Sequence, residues 1–299
     1  MRFLAAAAVA LLSLAASAQQ VPVKIVEVKG KDFPKLQGVS ASYEIEADCD
    51  TKTLQAVAAT LEDLRARFAQ EFRNRISAEA LKSVLQVRFY KTQQAMMANM
   101  RGPGGGPGGP GGPPGGGPGG GGPGGYYDPG TRTLHACLEQ PAGDDWQFVL
   151  RHESTHQLLH NLLSIGGGQP GISSSLWFNE GFASYWAMTR WKGRAVSEDD
   201  VPAKLLEEFK RSNDAKTLMP LKELIGGRPD PSAMRAYYAQ GWALCRFLRH
   251  HAQHRKQFAA WLDRERDGKI TWDDFVEVFG IKDAAAFESD LIRATISLK

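Results

Sequence analysis

Residues 144–164 read DDWQFVLRHESTHQLLHNLLS, and the spacing of their apolar residues predicts one amphipathic helix from Asp144 to Ser164. Residues four apart stand one turn apart on the same helix face. His152 and His156 therefore offer two imidazole nitrogens to one point, with Glu153 beside the first. Such a pair can hold a metal ion at about 2.0 to 2.1 Å, and the intervening carboxylate can reach a water on the ion without being a ligand. Catalytic zinc takes three protein ligands and keeps its fourth position for water. His160 lies one further turn along, but a straight helix carries it about 6 Å away along the axis, so it is read as exposed or as supporting a ligand. Glu180 is the expected third ligand. It lies in Trp177-Phe-Asn-Glu-Gly-Phe-Ala-Ser-Tyr-Trp186, across a glycine-rich turn at Gly166–Gly171 that lets a second helix return antiparallel. The small Gly181 and Ala183 are expected to let these two helices approach closely.

Upstream, alternating stretches at Val23–Val28, Tyr43–Ala47, Val84–Tyr90 and Arg132–Leu138 predict strands. Leu54, Val57, Leu61, Leu64, Phe68 and Phe72 recur at intervals of three or four, which predicts a long helix capped by Asp50. A short helix at Gln93–Met100 follows. After Asp144 the periodicity is almost wholly helical. The fold class expected is α+β: a small mixed sheet with a long helix in residues 19–143, then a metal-binding helix pair in a mostly α-helical half, residues 144–299.

Two segments stand outside this scheme. Gly102–Gly125 contains only glycine and proline, too short and too irregular for collagen, and reads as a structureless insertion. Met1–Ala18 has an early Arg2, an apolar stretch, and Ala16-Ser17-Ala18 before Gln19, the pattern of a secretory signal peptide. The chain is expected to be exported, to the periplasm or beyond, without a stable membrane anchor. The remainder of the 299 residues suffices for a buried core, and the apolar fraction of 42% excludes general disorder. A formal charge of +3 gives no electrostatic footprint for nucleic acid. In an oxidising compartment Cys49 and Cys137 are placed to pair, leaving Cys245 as a buried thiol; three free thiols are the other reading.

The run His-Glu-x-x-His followed by Trp-Phe-Asn-Glu-Gly-Phe-Ala resembles the zinc site of the gluzincin metallopeptidases, the superfamily of thermolysin and aminopeptidase N. The order of elements along residues 40–290 is similar to exported bacterial proteins called peptidase MA-like. The resemblance implies a zincin-like fold and one catalytic Zn2+ on His152, His156 and Glu180. It implies Glu153 as general base and a peptide or protein as substrate. It also carries over Tyr238, in Tyr238-Ala-Gln-Gly241, as the hydroxyl that bonds the oxyanion, with Tyr237 as the fallback. An extended substrate is implied along an edge strand above the zinc helix, here expected around Thr131–Cys137. The Met-Glu-Asn segment by which aminopeptidase N relatives bind a free amino terminus does not occur, so an endopeptidase is expected. The spacing from His156 to Glu180 also exceeds that of the family. The rival readings are an inactive binding protein on the same fold and a zinc amidase acting on a non-protein envelope substrate.

A second metal pattern competes. Asp263, Glu265, Asp267, Gly268, Ile270 and Asp274 fall at positions of an EF-hand loop, which would bind Ca2+, but Asp274 is short for the final bidentate ligand. The weightier reading is that Gly268 ends one helix while Thr271 and Asp274 cap the next.

Overall fold

The computed structural model describes residues 21–100, 124–140, 145–166, 175–188, 191–192, 195–196, 201–227, 229–268 and 270–299. The expected leader and the tract up to residue 123 lie outside them. The chain is α+β. It runs β1 (Lys24–Glu27), β2 (Leu36–Val39), β3 (Tyr43–Ala47), α1 (Thr51–Glu71), α2 (Ala78–Lys82), β4 (Leu85–Tyr90), α3 (Gln93–Met100), β5 (Gly125–Asp128) and β6 (Thr133–Cys137). Then follow α4 (Trp146–Leu163), α5 (Leu176–Met188), the small hairpin β7 (Trp191–Lys192) and β8 (Ala195–Val196), and α6 (Ala203–Asp214). The chain closes with α7 (Leu221–Gly226), α8 (Met234–His250), α9 (Arg255–Asp267), α10 (Trp272–Phe279) and α11 (Ala284–Ile296).

The large sheet has the order β1-β2-β3-β4-β6-β5. β3, β4 and β6 run parallel, and the outer strands pair antiparallel. Along β3, β4 and β6 the residues Tyr43, Ile45, Ala47, Leu85, Val87, Phe89, Leu134 and Ala136 alternate onto one face and are buried there. α1 covers that face with Leu54, Val57, Leu61, Leu64 and Phe68, and the Asp50 side chain accepts from Thr53 N at 2.7 Å at its start. α4 lies beside it. The buried Gln157 of α4 donates from Nε2 to Gln86 O at 2.9 Å and Arg132 O at 3.1 Å, tying the helix to β4 and to the β5–β6 hairpin. One buried cluster runs from Leu36 to Leu291, so the sheet and the helical half share a core. At the junction Phe68 and Phe72 pack on Trp186 at 5.3 and 5.8 Å between ring centroids.

Two expectations, of the substrate edge and of Gly181, are corrected here, and the capping reading of Gly268, Thr271 and Asp274 holds. The free edge of the sheet is β5, and the segment around Thr131–Cys137 is β6, an interior strand between β4 and β5. Asp263, Glu265 and Asp267 belong to helix α9 rather than to a calcium loop. Gly268 ends that helix in the left-handed conformation (φ +69°), and Thr271 and Asp274 form a capping box on α10. Gly181 does not set the approach of α4 and α5. It faces Gly241 of α8, where an added Cβ would overlap the Gly241 carbonyl. All three cysteines are buried and unpaired. Among the described residues no helix is long and apolar enough to cross a membrane.

Candidate metal centre

α4 presents two polar stripes. His152 and His156, one turn apart, face α5. Glu153, Gln157, His160 and Asn161, shifted around the helix, face the β5–β6 hairpin. α5 is apolar almost all round: of Trp177–Ala187 only Asn179 and Glu180 escape burial. Such a helix belongs inside a protein, and its aromatic residues hold it there, with Trp177 against Trp261 at 5.8 Å and Phe182 against Phe258 at 5.9 Å. The two exceptions open onto the first stripe of α4.

The three expected ligands converge. His152 Nε2 lies 3.2 Å from Glu180 Oε2 and 3.1 Å from His156 Nε2, and His156 Nε2 lies 3.7 Å from the same carboxylate oxygen. Ligand atoms about 2.0 to 2.1 Å from a tetrahedral ion stand roughly 3.3 Å apart. The observed triangle therefore matches one face of such a shell, and its donors are the borderline nitrogen and oxygen set that zinc accepts. The side chains are 11 to 16% exposed, so the centre is shielded but open on one side. Among the described residues this is the group of three that could hold an ion.

Charge at the centre points the same way. Burial acts to lower the His156 pKa, but the Glu180 carboxylate prevails, with help from Glu153 and Asn179, and the imidazole is pushed up to about 9. Burial acts to raise Glu180, and the two histidines outweigh it, holding its carboxyl far below the usual range. The cluster thus seeks a positive charge at the point where its lone pairs meet. Asn179 sets the direction of one of them: with His156 Nδ1 donating to Asn179 Oδ1 at 3.0 Å, Nε2 is turned to the centre. Ser184 Oγ is a looser neighbour of His152 Nδ1 at 3.5 Å.

Glu153 and Tyr238 border the centre without joining the triangle. Burial raises the Glu153 pKa, opposed by His152 and His156 and by the backbone N–H of Tyr127. Burial, then the charges of Glu180 and Glu153, push Tyr238 up beyond the usual phenol range, so it stays a protonated donor within the field of both carboxylates. Tyr237, the fallback, is committed elsewhere: its buried hydroxyl donates to Leu224 O at 3.1 Å and lies 3.3 Å from Gly227 O. His160 stays out of the triangle, with Nδ1 2.7 Å from the Tyr127 hydroxyl.

The edge strand completes the surroundings. Cys137 N donates to Gly124 O at 3.0 Å, and in an antiparallel ladder bonded and non-bonded pairs alternate. The register Gly125↔Ala136 and Tyr127↔Leu134 therefore turns the backbone groups of Gly125 and Tyr127 outward. Sequence reasoning missed Asn179, Tyr127 and Gly241. Adjacency to Glu180 was a usable signal for Asn179, and Gly241 stood in the run Tyr238-Ala-Gln-Gly241; nothing local marked Tyr127. Residues 148–268 match a family described as proteins of unknown function, DUF1570, a span that takes in His152, Glu153, His156, Glu180 and Tyr238 but not β5. No curated protein matches the chain.

Proposed function

We propose that this chain is an exported zinc-dependent endopeptidase of gluzincin type, with a zincin-like fold. One observation carries the reading: two imidazoles and a carboxylate converge at the spacing of a tetrahedral shell, and Glu153 and Tyr238 lie within the electrostatic reach of that cluster.

His152, His156 and Glu180 would hold the ion, which when bound supplies Lewis acidity toward a carbonyl and lowers the pKa of a water toward about 7. Glu153, in a buried setting that raises its proton affinity, takes a proton from the attacking water and passes it to the leaving amine. Tyr238 donates its O–H to the carbonyl oxygen as that oxygen gains charge. β5 aligns the substrate, because the outward backbone of Gly125 and the outward carbonyl of Tyr127 suit an extended chain adding to the sheet.

The test is digestion of a peptide library by the zinc-loaded protein and by Glu153→Gln, with products read by mass spectrometry. Cleavage by the parent and at least a hundredfold loss in the variant are expected, a general acid–base contribution being about 10²- to 10⁴-fold. Equal cleavage by both would remove Glu153 from the mechanism. No cleavage by either would favour a binding protein or a non-peptide substrate.

A further inference from the structure

β5 is a four-residue strand that follows directly on a tract of glycine and proline, residues with no polar side chain to hold it in place. A slip of two residues along β6 would keep the same faces inward, so pairing alone does not decide which residue stands over Glu153. Side chains on both faces do. On the face away from α4, Tyr126 stacks on His135 with ring centroids 4.4 Å apart and planes 9° apart. On the α4 face, the Tyr127 hydroxyl lies 2.7 Å from His160 Nδ1 and accepts from Asn161 Nδ2 at 3.0 Å. Asn161 Nδ2 is itself anchored on Gln157 O at 2.8 Å. The hydroxyl thus bonds two residues of the second stripe of α4.

Gly125 limits how close the strand comes. A Cβ there would stand 3.0 Å from Glu153 Cγ, Val149 Cγ1 and His135 O, closer than side-chain carbons ordinarily pack. A Cβ would require these neighbours to give by a few tenths of an ångström, so glycine lets the backbone rest on Glu153 at this depth without displacing them.

We propose that Tyr127 is a positioning residue. Its bonds to His160 and Asn161, together with the bare backbone of Gly125, fix the register and height of the edge strand over Glu153, and through them the placing of a substrate backbone against the general base. The substrate half rests on the peptidase reading; the clamp itself does not.

The experiment is hydrogen–deuterium exchange of the full-length chain, read on the β5 amides of Tyr126 and Asp128, which pair with β6. Exchange is measured in the wild type, Tyr127→Phe, His160→Leu and His160→Gln. Tyr127→Phe and His160→Leu are expected to speed exchange in β5 about five- to tenfold, the worth of one to two ordinary hydrogen bonds. α8 protection and zinc content should not change. His160→Gln, whose amide oxygen can accept from the Tyr127 hydroxyl, should recover most of the protection. With a peptide substrate, KM should rise severalfold while kcat changes less. Unchanged β5 exchange in both disruptive variants, or a loss of protection spread over the whole chain, overturns the clamp. An exchange response in a protein that cleaves no peptide upholds the clamp and overturns the hydrolytic reading.

Discussion

Gly181 of α5 and Gly241 of α8 meet backbone against backbone: a Cβ on the first would overlap the carbonyl of the second, and a Cβ on Gly241 would stand 2.7 Å from Trp177 O. Glu180 adjoins one of these glycines and Tyr238 lies one turn before the other. The crossing therefore sets the distance between a proposed ligand and the proposed oxyanion donor. Gly241→Ala must push two packed helices apart, and overpacking of this kind costs about 1 to 3 kcal/mol. Denaturant unfolding should show that loss, together with weaker zinc binding. Gly226→Ala is the control, because nothing lies within 4 Å of the added methyl and the change should be neutral or slightly stabilising.

Zinc at the His152, His156 and Glu180 centre should stabilise the fold by mass action. At free zinc a hundred times the dissociation constant the gain is about 2.7 kcal/mol. Thermal unfolding with and without a chelator should show a rise in Tm with zinc in the parent and in Glu153→Gln, and none in His156→Ala or Glu180→Ala. A zinc-dependent rise that survives Glu180→Ala would rule out Glu180 as a ligand.

Asn179 orients His156 through the 3.0 Å bond to Nδ1. Its removal leaves the three ligands in place but lets the ring turn. Asn179→Ala should weaken zinc about 10- to 100-fold, the usual worth of such a partner, as read by competition with a chromophoric chelator. Asn179→Asp, which keeps an acceptor at that position, should lose less.

Glu265 provides a pH test outside the proposed metal centre. Its carboxyl is fully buried and accepts from Ser175 N at 2.8 Å and from Ser175 Oγ, at the entrance to α5. Burial outweighs those bonds and pushes its pKa up to about 8. The folded state therefore holds a proton that the unfolded chain, with an ordinary value near 4.3, gives up earlier. The stability that this proton contributes is complete below about pH 4.3 and is lost progressively as pH rises through about 8. Glu265→Gln imitates the protonated form. Between pH 5 and 9 the wild type should lose stability relative to this variant by a few kcal/mol, measured by urea unfolding at several pH values.

What was legible in the sequence was whatever repeated. The face of α1 from Leu54 to Phe68 and the alternation in β3, β4 and β6 are carried by side chains of one kind at one period. The His152, His156 and Glu180 set was legible because two of the proposed ligands share a helix and the third lies in a distinctive aromatic run. The two strands of the large sheet that alternation did not mark, β2 and β5, have a glycine where an inward apolar residue would have marked them. Gly38 of β2 faces Leu54, with its Cδ2 only 3.2 Å from where a Cβ would stand, and Gly125 of β5 faces Glu153. At both glycines a side chain would require a neighbour to give by a few tenths of an ångström, so a close tertiary contact coincides with the loss of the local pattern. The same logic misdirected Gly181, whose partner was a glycine 60 positions away rather than the adjacent helix.

The two margins of the large sheet are guarded differently against pairing with other molecules. An open margin is a template for aggregation, and β1 blunts its own with Lys24 and Glu27 around an exposed Val26. β5 carries no such charge among Gly125, Tyr126 and Tyr127 until Asp128. Its protection is a short run of two outward-facing backbone positions, with a charged residue closing one end and α4 beneath. That is enough to grip a short extended chain and too little to seed a growing stack, so the opening that would admit a substrate is also kept from becoming adhesive.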